Sequence, residues 1–516
     1  METDVLIVGA GPSGLALAAQ LLRFKIDFQI IDKKATTTPY SKAIGVQART
    51  LEIYEQIGLA DDLVSLGTIA EKVRLVEGGE VRGEVFLKSL GEGMSPYPFL
   101  LIVEQGLHEK LLFDHITSAS HEVLWNTELT GLTQSGDVVD AMMKTGDGKS
   151  ETCKAKFLIA CDGAKSIVRH TLGIDFFGST IARLFYVADV SVEWNFPHDG
   201  LVVNLGRDNL TAFFPMPGKD RFRIVGTFPE GHQGDEGEIL YEEIEQQIKK
   251  DIELDLNITD VNWFSVYKVH SRAVTRFSEG RCFLVGDSAH IHTPAGAQGM
   301  NTGIQDGYNL AWKLDLVLRG KADAALLDTY NDERLENAKH LLKTTDRFFQ
   351  FGASEEWFVR FFRMHIFPYI ANLALNLDVV KRVVFPLVSQ IGISYRESRL
   401  SESRGEFEIK AGDRMPYFLA DGESIYDLLH SPKFHLLSFG ESDMQMLEAE
   451  IAREFGDVID FFLLQLSAEA KKKFGTETPF LVLLRPDNYI GLLTVEISAR
   501  SVQEYLRKIL RDPTAA

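Results

Sequence analysis

Gly9-Ala-Gly11-Pro12-Ser13-Gly14 is the feature that most restricts what this chain can become. It stands between an apolar run, Asp4-Val-Leu-Ile-Val8, and a stretch of helical character from about Pro12 to Phe24. A short β-branched run closed by glycine reads as a buried parallel strand. A second run at 27–31 ends at Asp32 and Lys33, which completes a β-α-β unit. In such a unit Gly9 permits the tight turn, Gly11 lets a pyrophosphate approach the backbone, and Gly14 lets the helix pack against the strand. Pro12 and Ser13 open the helix, Pro12 with its φ preset for a first turn, and the first-turn N–H groups from Ser13 onward offer positive dipole to phosphate. Asp32, about 20 residues on, is placed to accept hydrogen bonds from a ribose. The unit predicts a dinucleotide site. By itself it does not say which dinucleotide, and a glycine turn used only for packing reads the same way.

The rest of the chain is long enough for two or three domains, at 516 residues. Its net charge of −20 repels phosphate backbones and anionic lipid, which argues against nucleic acid and membrane surfaces as partners. Cys153, Cys161 and Cys282 show no CxxC spacing and read as buried or incidental thiols in a reducing compartment. No apolar run reaches about 18 residues and no signal peptide precedes the first strand, so a cytoplasmic protein is expected.

Strand-like stretches at 69–104, 123–132, 137–145, 181–228 and 264–269 alternate with helical ones near 47–57, 105–117 and 238–250. The expected fold class is therefore α/β, a Rossmann-like nucleotide-binding domain interleaved with a β-sheet domain. The expected division is 1–70, 100–180 and 275–345 for the first, and 71–99 with 181–274 for the second, β-rich substrate domain. A helical connector is expected at 346–404, with aromatic pieces such as Trp357, Phe358, Phe361 and Phe362, and a third small α/β domain at 405–516.

Two further apolar strands end in an acid beside glycine. Residues 158–161 run into Asp162-Gly163, followed by Ser166 and Arg169, whose fork suits phosphate. Cys282–Val285 runs into Gly286-Asp287, where a carboxylate at a strand's C-terminal end lies in the usual ligand crevice. A turn or helix-capping aspartate is the plain alternative at both. His290, Pro294, Gly296, Gly299, Met300 and Asn301 then form a loop opening onto a helix, whose N–H groups and dipole favour an anion. His290 and His292 lack the carboxylates or cysteines to complete a metal site.

With these three motifs in this order, the sequence resembles the FAD-dependent aromatic hydroxylases, single-component (class A) flavoprotein monooxygenases with a p-hydroxybenzoate-hydroxylase-like fold. The likeness covers about 1–345 and extends to Arg49-Thr50-Leu51-Glu52, Gln105, Asp306, Asn309 and Leu310. It implies FAD as cofactor, with NADPH (or NADH) as a transient co-substrate. It implies the ADP half on Gly9–Gly14, the ribityl chain on Asp287, and shared duties for Asp162-Gly163. It further implies a cofactor contact at Gln105 and at Arg49, and Pro294 with the 296–301 loop along the isoalloxazine. Lys42 stands where many members carry arginine and gives a point charge in place of a fork. The implied reaction is hydroxylation of a phenolic, polyketide or antibiotic-like aromatic by O2 through a flavin C4a-hydroperoxide, in a monomer or homodimer. A flavin oxidoreductase without oxygen insertion is the alternative. The substrate wall is expected at Phe213, Phe214, Pro215 and Met216 with Pro294, and the available polar groups are Tyr186, Arg223, Tyr267 and His270. The part from about 405 resembles the thioredoxin-like domain of longer members, without CxxC.

Overall fold

The computed structural model of the chain describes residues 1–38, 43–205, 209–229, 232, 239–252, 255–293, 297–353, 378–440 and 444–511. Lys42, Pro294, Gly296 and the aromatic cluster at 357–362 lie outside the described residues.

The dinucleotide-type unit forms as its sequence dictates. The strand Glu2–Val8 leads into the helix Pro12–Phe24 and then into the strand Phe28–Ile31. Five parallel strands form the spine of an eight-stranded sheet: Cys282–Leu284, Ser150–Ala160, Glu2–Val8, Phe28–Ile31 and Val123–Leu124, in that spatial order, with Ser278–Glu279 antiparallel on the outer edge of the first. An antiparallel ribbon, Glu128–Ser135 with Val138–Lys144, extends from the long 150–160 strand. Val5, Leu6, Ile7, Leu158, Ile159 and Leu284 are completely buried, as expected for strands covered on both faces. The long helix Gly299–Leu318 packs on Pro12–Phe24, and Gly307 brings it in close: a Cβ there would lie 3.1 Å from Leu17 Cβ.

Register fixes the function-bearing edge. Val8 pairs with Ala160 and Ala160 with Leu284, so three strands separated widely in sequence end side by side. The loops that follow, at Gly9, Asp162 and Gly286, therefore emerge together.

The second sheet is eight-stranded. It is built mainly from the strands Phe176–Glu193, Arg221–Thr227, Leu210–Pro215, Gly200–Leu205 and Asn257–Val274, and it also takes in Lys72–Glu77 and Glu80–Phe86 from early in the chain. Its outer face packs against the helix Tyr241–Ile252, whose Ile244, Ile248 and Ile252 repeat at helical spacing.

The C-terminal part forms a five-stranded sheet in the order Glu402–Arg404, Ile490–Thr494, Phe480–Leu484, Phe434–Phe439, Ile459–Leu464. It is bolted to the first domain by a buried ion cluster. Arg485, fully buried, donates to Glu333 Oε1 at 2.6 Å and to Asp487 Oδ1 at 3.0 Å. Glu333 also accepts from Asn309 at 2.7 Å and Lys313 at 2.9 Å, and Trp312 donates to Asp487 at 3.1 Å. Burial alone would raise the pKa of Glu333, but Arg485 and Lys313 outweigh it and hold the carboxyl well below its ordinary value. Its stabilising contribution is thus complete above about pH 4.5 and lost as pH falls through the lower folded value. Replacing Glu333 by Ala leaves two buried cations short of a partner, and the expected cost is about 3–5 kcal/mol, read as a lower denaturation midpoint at pH 7. An unchanged midpoint would show that the cluster does not hold the two parts together.

Candidate functional site

Gly9 and Gly14 are where the backbone geometry leaves no choice. Gly9 has φ +108°, and a Cβ there would sit 2.3 Å from the Cys161 carbonyl oxygen. A Cβ on Gly14 would come within 1.9 Å of the Gly9 carbonyl oxygen. Gly11 differs: it has φ −85° and nothing stands within 4 Å of where its Cβ would be. Gly9 and Gly14 thus serve the turn and the packing, whereas Gly11 borders open space. Gly11 is also the N-cap, and no side chain caps the helix, so the first-turn N–H groups remain to be satisfied from outside the helix. Ser13 packs between the two neighbouring elements; a Cβ on Gly286 or Gly303 would meet its Oγ at 2.6 or 2.3 Å.

Asp32 braces this turn. Its Oδ2 accepts from the Ala10 N–H at 2.7 Å and its Oδ1 from the Lys34 N–H at 2.8 Å. Lys33 is exposed beside it. The neighbouring strand end carries Asp162, whose Oδ2 accepts from the Val168 N–H at 3.4 Å while its buried Oδ1 has no partner among the described residues. Burial raises its pKa against the hydrogen bond from Ser166. Burial likewise pushes the adjacent Cys161 thiol up, so it stays protonated.

On the third strand end, Gly286 has its N–H on Asp306 Oδ2 at 2.9 Å. Asp306 is a hub: His290 Nε2 lies 2.8 Å from Oδ2 and Arg334 Nε donates to Oδ1 at 2.6 Å. Burial opposes the charge on Asp306, yet Arg334 and His290 hold its pKa below the ordinary value. His290 is thereby a bracing residue, and no metal-binding cluster of three His, Cys, Asp or Glu occurs among the described residues. Asp287 has no hydrogen-bond partner among the described residues. It is accessible to solvent, yet enough protein surrounds it that desolvation raises its pKa, with His290 pulling the other way.

Several expected cofactor contacts are spent elsewhere. Arg169 does not present its fork to a phosphate: it donates to the Ser288 and Ala164 carbonyls at 2.9 and 2.7 Å and stacks on Phe176. It ties the Asp162 loop to the Gly286 loop. Arg49 is also corrected. Its guanidinium, 1% exposed, donates to Glu52 at 3.1 Å and to the Asp487 carbonyl at 3.0 Å, between the rings of Tyr308 and Tyr489. Asn301 is fully engaged within the protein, and Met300 packs on the core. Gln105, half-buried at a helix start, donates to Glu109 at 2.8 Å and accepts from the Ala43 N–H at 3.4 Å.

The second sheet faces this site with one of its two surfaces, and strand alternation decides which residues belong to it. A cross-strand row runs Trp263, Asp189, Arg223, Phe214. Phe214 and Met216 pack with Ile44, Ala70 and Ile102 of the first domain's side. Phe213 does not belong to that surface: it packs with Trp194, Phe222 and the helix Tyr241–Ile252 on the opposite face, and Pro215, paired with Phe222, shares that face. Tyr186 is on the outer face too, its hydroxyl 3.1 Å from Thr211. Arg223, buried, makes two 2.6 Å bonds to Asp189 and reaches the Ala43 carbonyl at 3.1 Å. Phe185 stacks on Tyr267 along the same surface. Burial pushes the Tyr267 phenol up to about 12, with Arg223 moderating, so it is neutral at physiological pH. His270 bonds Thr180 near the strand's end. The Asp189–Arg223 pair was the residue set that sequence reasoning half-missed, because Asp189 gains meaning only from its cross-strand partner.

A cavity of about 250 Å³ lies elsewhere, between Arg23, Trp312, Phe434 and Pro486. It opens at the far end of the Pro12–Phe24 helix, about 18 Å from the glycine turn, and belongs to the contact with the C-terminal unit.

Gly11→Ala and Gly14→Ala separate the roles. Gly11→Ala is expected to fold with the wild-type thermal midpoint but to bind FAD more weakly, by about tenfold or more, because a methyl group displaces a phosphate from the helix N-terminus. Gly14→Ala is expected to lower the yield of folded protein. Equal loss of folding in both would contradict the distinction.

Comparison with known proteins agrees with this geometry. The profile of the FAD binding domain family matches residues 2–345. A flavin-dependent monooxygenase of Mycobacteroides abscessus is 32% identical over 98% of this chain and 100% of its own length. The 6-methylpretetramide 4-monooxygenase of Streptomyces rimosus is 36% identical over 79% of this chain and 68% of its own. The solved structure of the anhydrotetracycline hydroxylase OxyS from Streptomyces rimosus superposes with a TM-score of 0.78 at 27% identity, covering 99% of this chain and all of that one. The chain therefore belongs to the FAD binding domain family and is an FAD-dependent monooxygenase of the aromatic-hydroxylase type.

Proposed function

We propose that the chain hydroxylates a planar aromatic small molecule held between the isoalloxazine of FAD and the inner surface of the eight-stranded sheet, with NADPH (or NADH) as transient reductant. The observation that carries this reading is the Trp263–Asp189–Arg223–Phe214 row, which turns aromatic surface and one buried ion pair toward the first domain and touches it at Ala43. Phenols, polyketides and antibiotic-like ring systems share the chemistry this surface suits, namely flat apolar area with polar edges.

Bound FAD supplies the redox chemistry, accepting reducing equivalents from the nicotinamide and activating O2 so that one oxygen atom enters the ring. The chain's part is placement. In this reading, the uncapped helix N-terminus beyond Gly11 takes the pyrophosphate, and Asp32 orients the turn that carries those N–H groups. Asp287 accepts from ribityl hydroxyls, and the buried Asp162 Oδ1, without a hydrogen bond among the described residues, accepts from a hydroxyl or amide donor. The start of the Gly299–Leu318 helix directs its dipole toward the flavin's pyrimidine edge, where negative charge collects on reduction. Trp263, Phe214 and Tyr267 exclude water from the face of the substrate. The C-terminal unit is read as thioredoxin-like on its β-α-β start, Phe434–Phe439, Gln445–Phe455 and Ile459–Leu464, followed by an antiparallel hairpin and a helix. Without CxxC it has no thiol redox role.

Under isotopic oxygen gas, labelled hydroxyl in the product is the expected result. Hydrogen peroxide alone, with no labelled product from any aromatic that speeds NADPH oxidation, would favour an oxidoreductase without oxygen insertion. Trp263→Ala is expected to raise KM about tenfold with a smaller effect on kcat, since stacking area is lost in ground and transition states alike. Phe213→Leu, on the helix side, is expected to lower the thermal midpoint and leave KM unchanged. The reverse pattern would place the substrate on the other face of the sheet.

A further inference from the structure

The first turns of the short helix Ala48–Glu55 bond two parts of the chain that have no sequence proximity to it or to each other. At its start, the Gln47 N–H at 2.9 Å and the Thr50 hydroxyl at 2.7 Å both donate to Asn301 Oδ1. The Asn301 amide nitrogen donates back to the Gly45 and Ala297 carbonyls at 3.0 and 2.8 Å. Asn301 is 0% exposed and all four of its hydrogen bonds are filled. It sits in the first turn of Gly299–Leu318, at the end of the glycine loop. One residue from Thr50, Arg49 leaves the same helix toward the C-terminal unit and donates to the Asp487 carbonyl, while Glu52 binds Arg414 of that unit at 2.9 Å.

A buried guanidinium is costly without acceptors, so the helix must sit where Asp487 meets Arg49. Asn301 in turn has one acceptor oxygen, and both of its donors come from the residues that begin this helix. Its side chain can be satisfied only where the helix puts those donors. The backbone of a hydrogen-bonded helical turn does not absorb a shift between adjacent residues 49 and 50. We propose that Arg49 is a positioning residue through which the C-terminal unit fixes the 297–301 segment, and thereby sets the affinity for FAD and the environment of its isoalloxazine. This assigns the C-terminal unit a role in cofactor retention. The proposal rests on the reading that this segment lies beside the flavin.

The test uses the full chain, stripped of FAD and titrated with it while flavin fluorescence and the visible absorption band are followed. Arg49→Lys keeps the charge but reaches only one of the two acceptors, and Thr50→Val removes the hydroxyl donated to Asn301 at nearly constant volume. Each is expected to weaken FAD binding by about tenfold, the loss of one strong buried hydrogen bond. Both are expected to shift the bound-flavin band. Thr50→Ser should restore wild-type values. If the two positions act in one relay, the double variant binds FAD no more than about twofold worse than the weaker single variant. Losses that multiply would overturn the relay, as would Thr50→Val binding FAD with wild-type affinity and spectrum. Should Arg49→Lys fail to fold, the Thr50→Val and Thr50→Ser pair decides alone. Asp287→Asn is the control: if it too leaves FAD binding unchanged, the placement of the cofactor itself is wrong, a failure distinct from that of the relay.

Discussion

Parallel pairing of three strand ends is the constraint on which the rest depends. Val8, Ala160 and Leu284 are neighbours across the sheet, and the turns that follow them therefore share one edge. Parallel strands need long crossovers, so motifs brought together this way lie far apart in sequence. The edge concentrates what a dinucleotide requires: an uncapped helix N-terminus and, among the described residues, an Asp162 oxygen and an Asp287 carboxylate that no hydrogen bond occupies. Its own polar groups are otherwise braced. Asp32 holds the glycine turn, Arg169 joins the second loop to the third, and Asp306 anchors the third to His290 and Arg334.

The charges that are buried in this protein stand largely in pairs and networks with structural tasks. Asp189–Arg223 reaches across from the second sheet to Ala43; Arg485, Glu333, Lys313 and Asp487 join the C-terminal unit to the long helices. Such networks are weak sources of net stability but costly to break on one side. That asymmetry suits an enzyme assembled from interleaved pieces. It specifies how the pieces meet while the hydrophobic clusters supply the driving force. It also means that an arginine expected at the cofactor can be found holding structure together, Arg49 between the first domain and the C-terminal unit and Arg169 between two loops of the first domain.

Much of the architecture was legible because its signals are local. The Pro12–Phe24 helix, the strand Phe28–Ile31 and the helix starting at Gln105 follow directly from apolar spacing and from the residues that flank each one. The substrate wall was less legible for a reason of period. Along a strand, neighbours point to opposite faces, so a run such as Phe213-Phe214-Pro215-Met216 is half wall and half core. Only the pairing partner tells the halves apart: Phe214 stands opposite Arg223, and Phe213 stands under the Tyr241–Ile252 helix.

The nucleotide-binding β-α-β unit with its glycine turn, the two glycine-acid turns at 162–163 and 286–287, and the order of elements could all be read from the amino-acid sequence. Each of these follows from steric and periodic rules acting over a few residues. Tertiary structure alone decided where the long polar side chains end. Arg49, Arg169, Asp189 and Asn301 find partners at separations of 3 to more than 400 residues. A flexible charged side chain takes whichever buried acceptor the packed backbone brings within reach, and no local pattern encodes that distance.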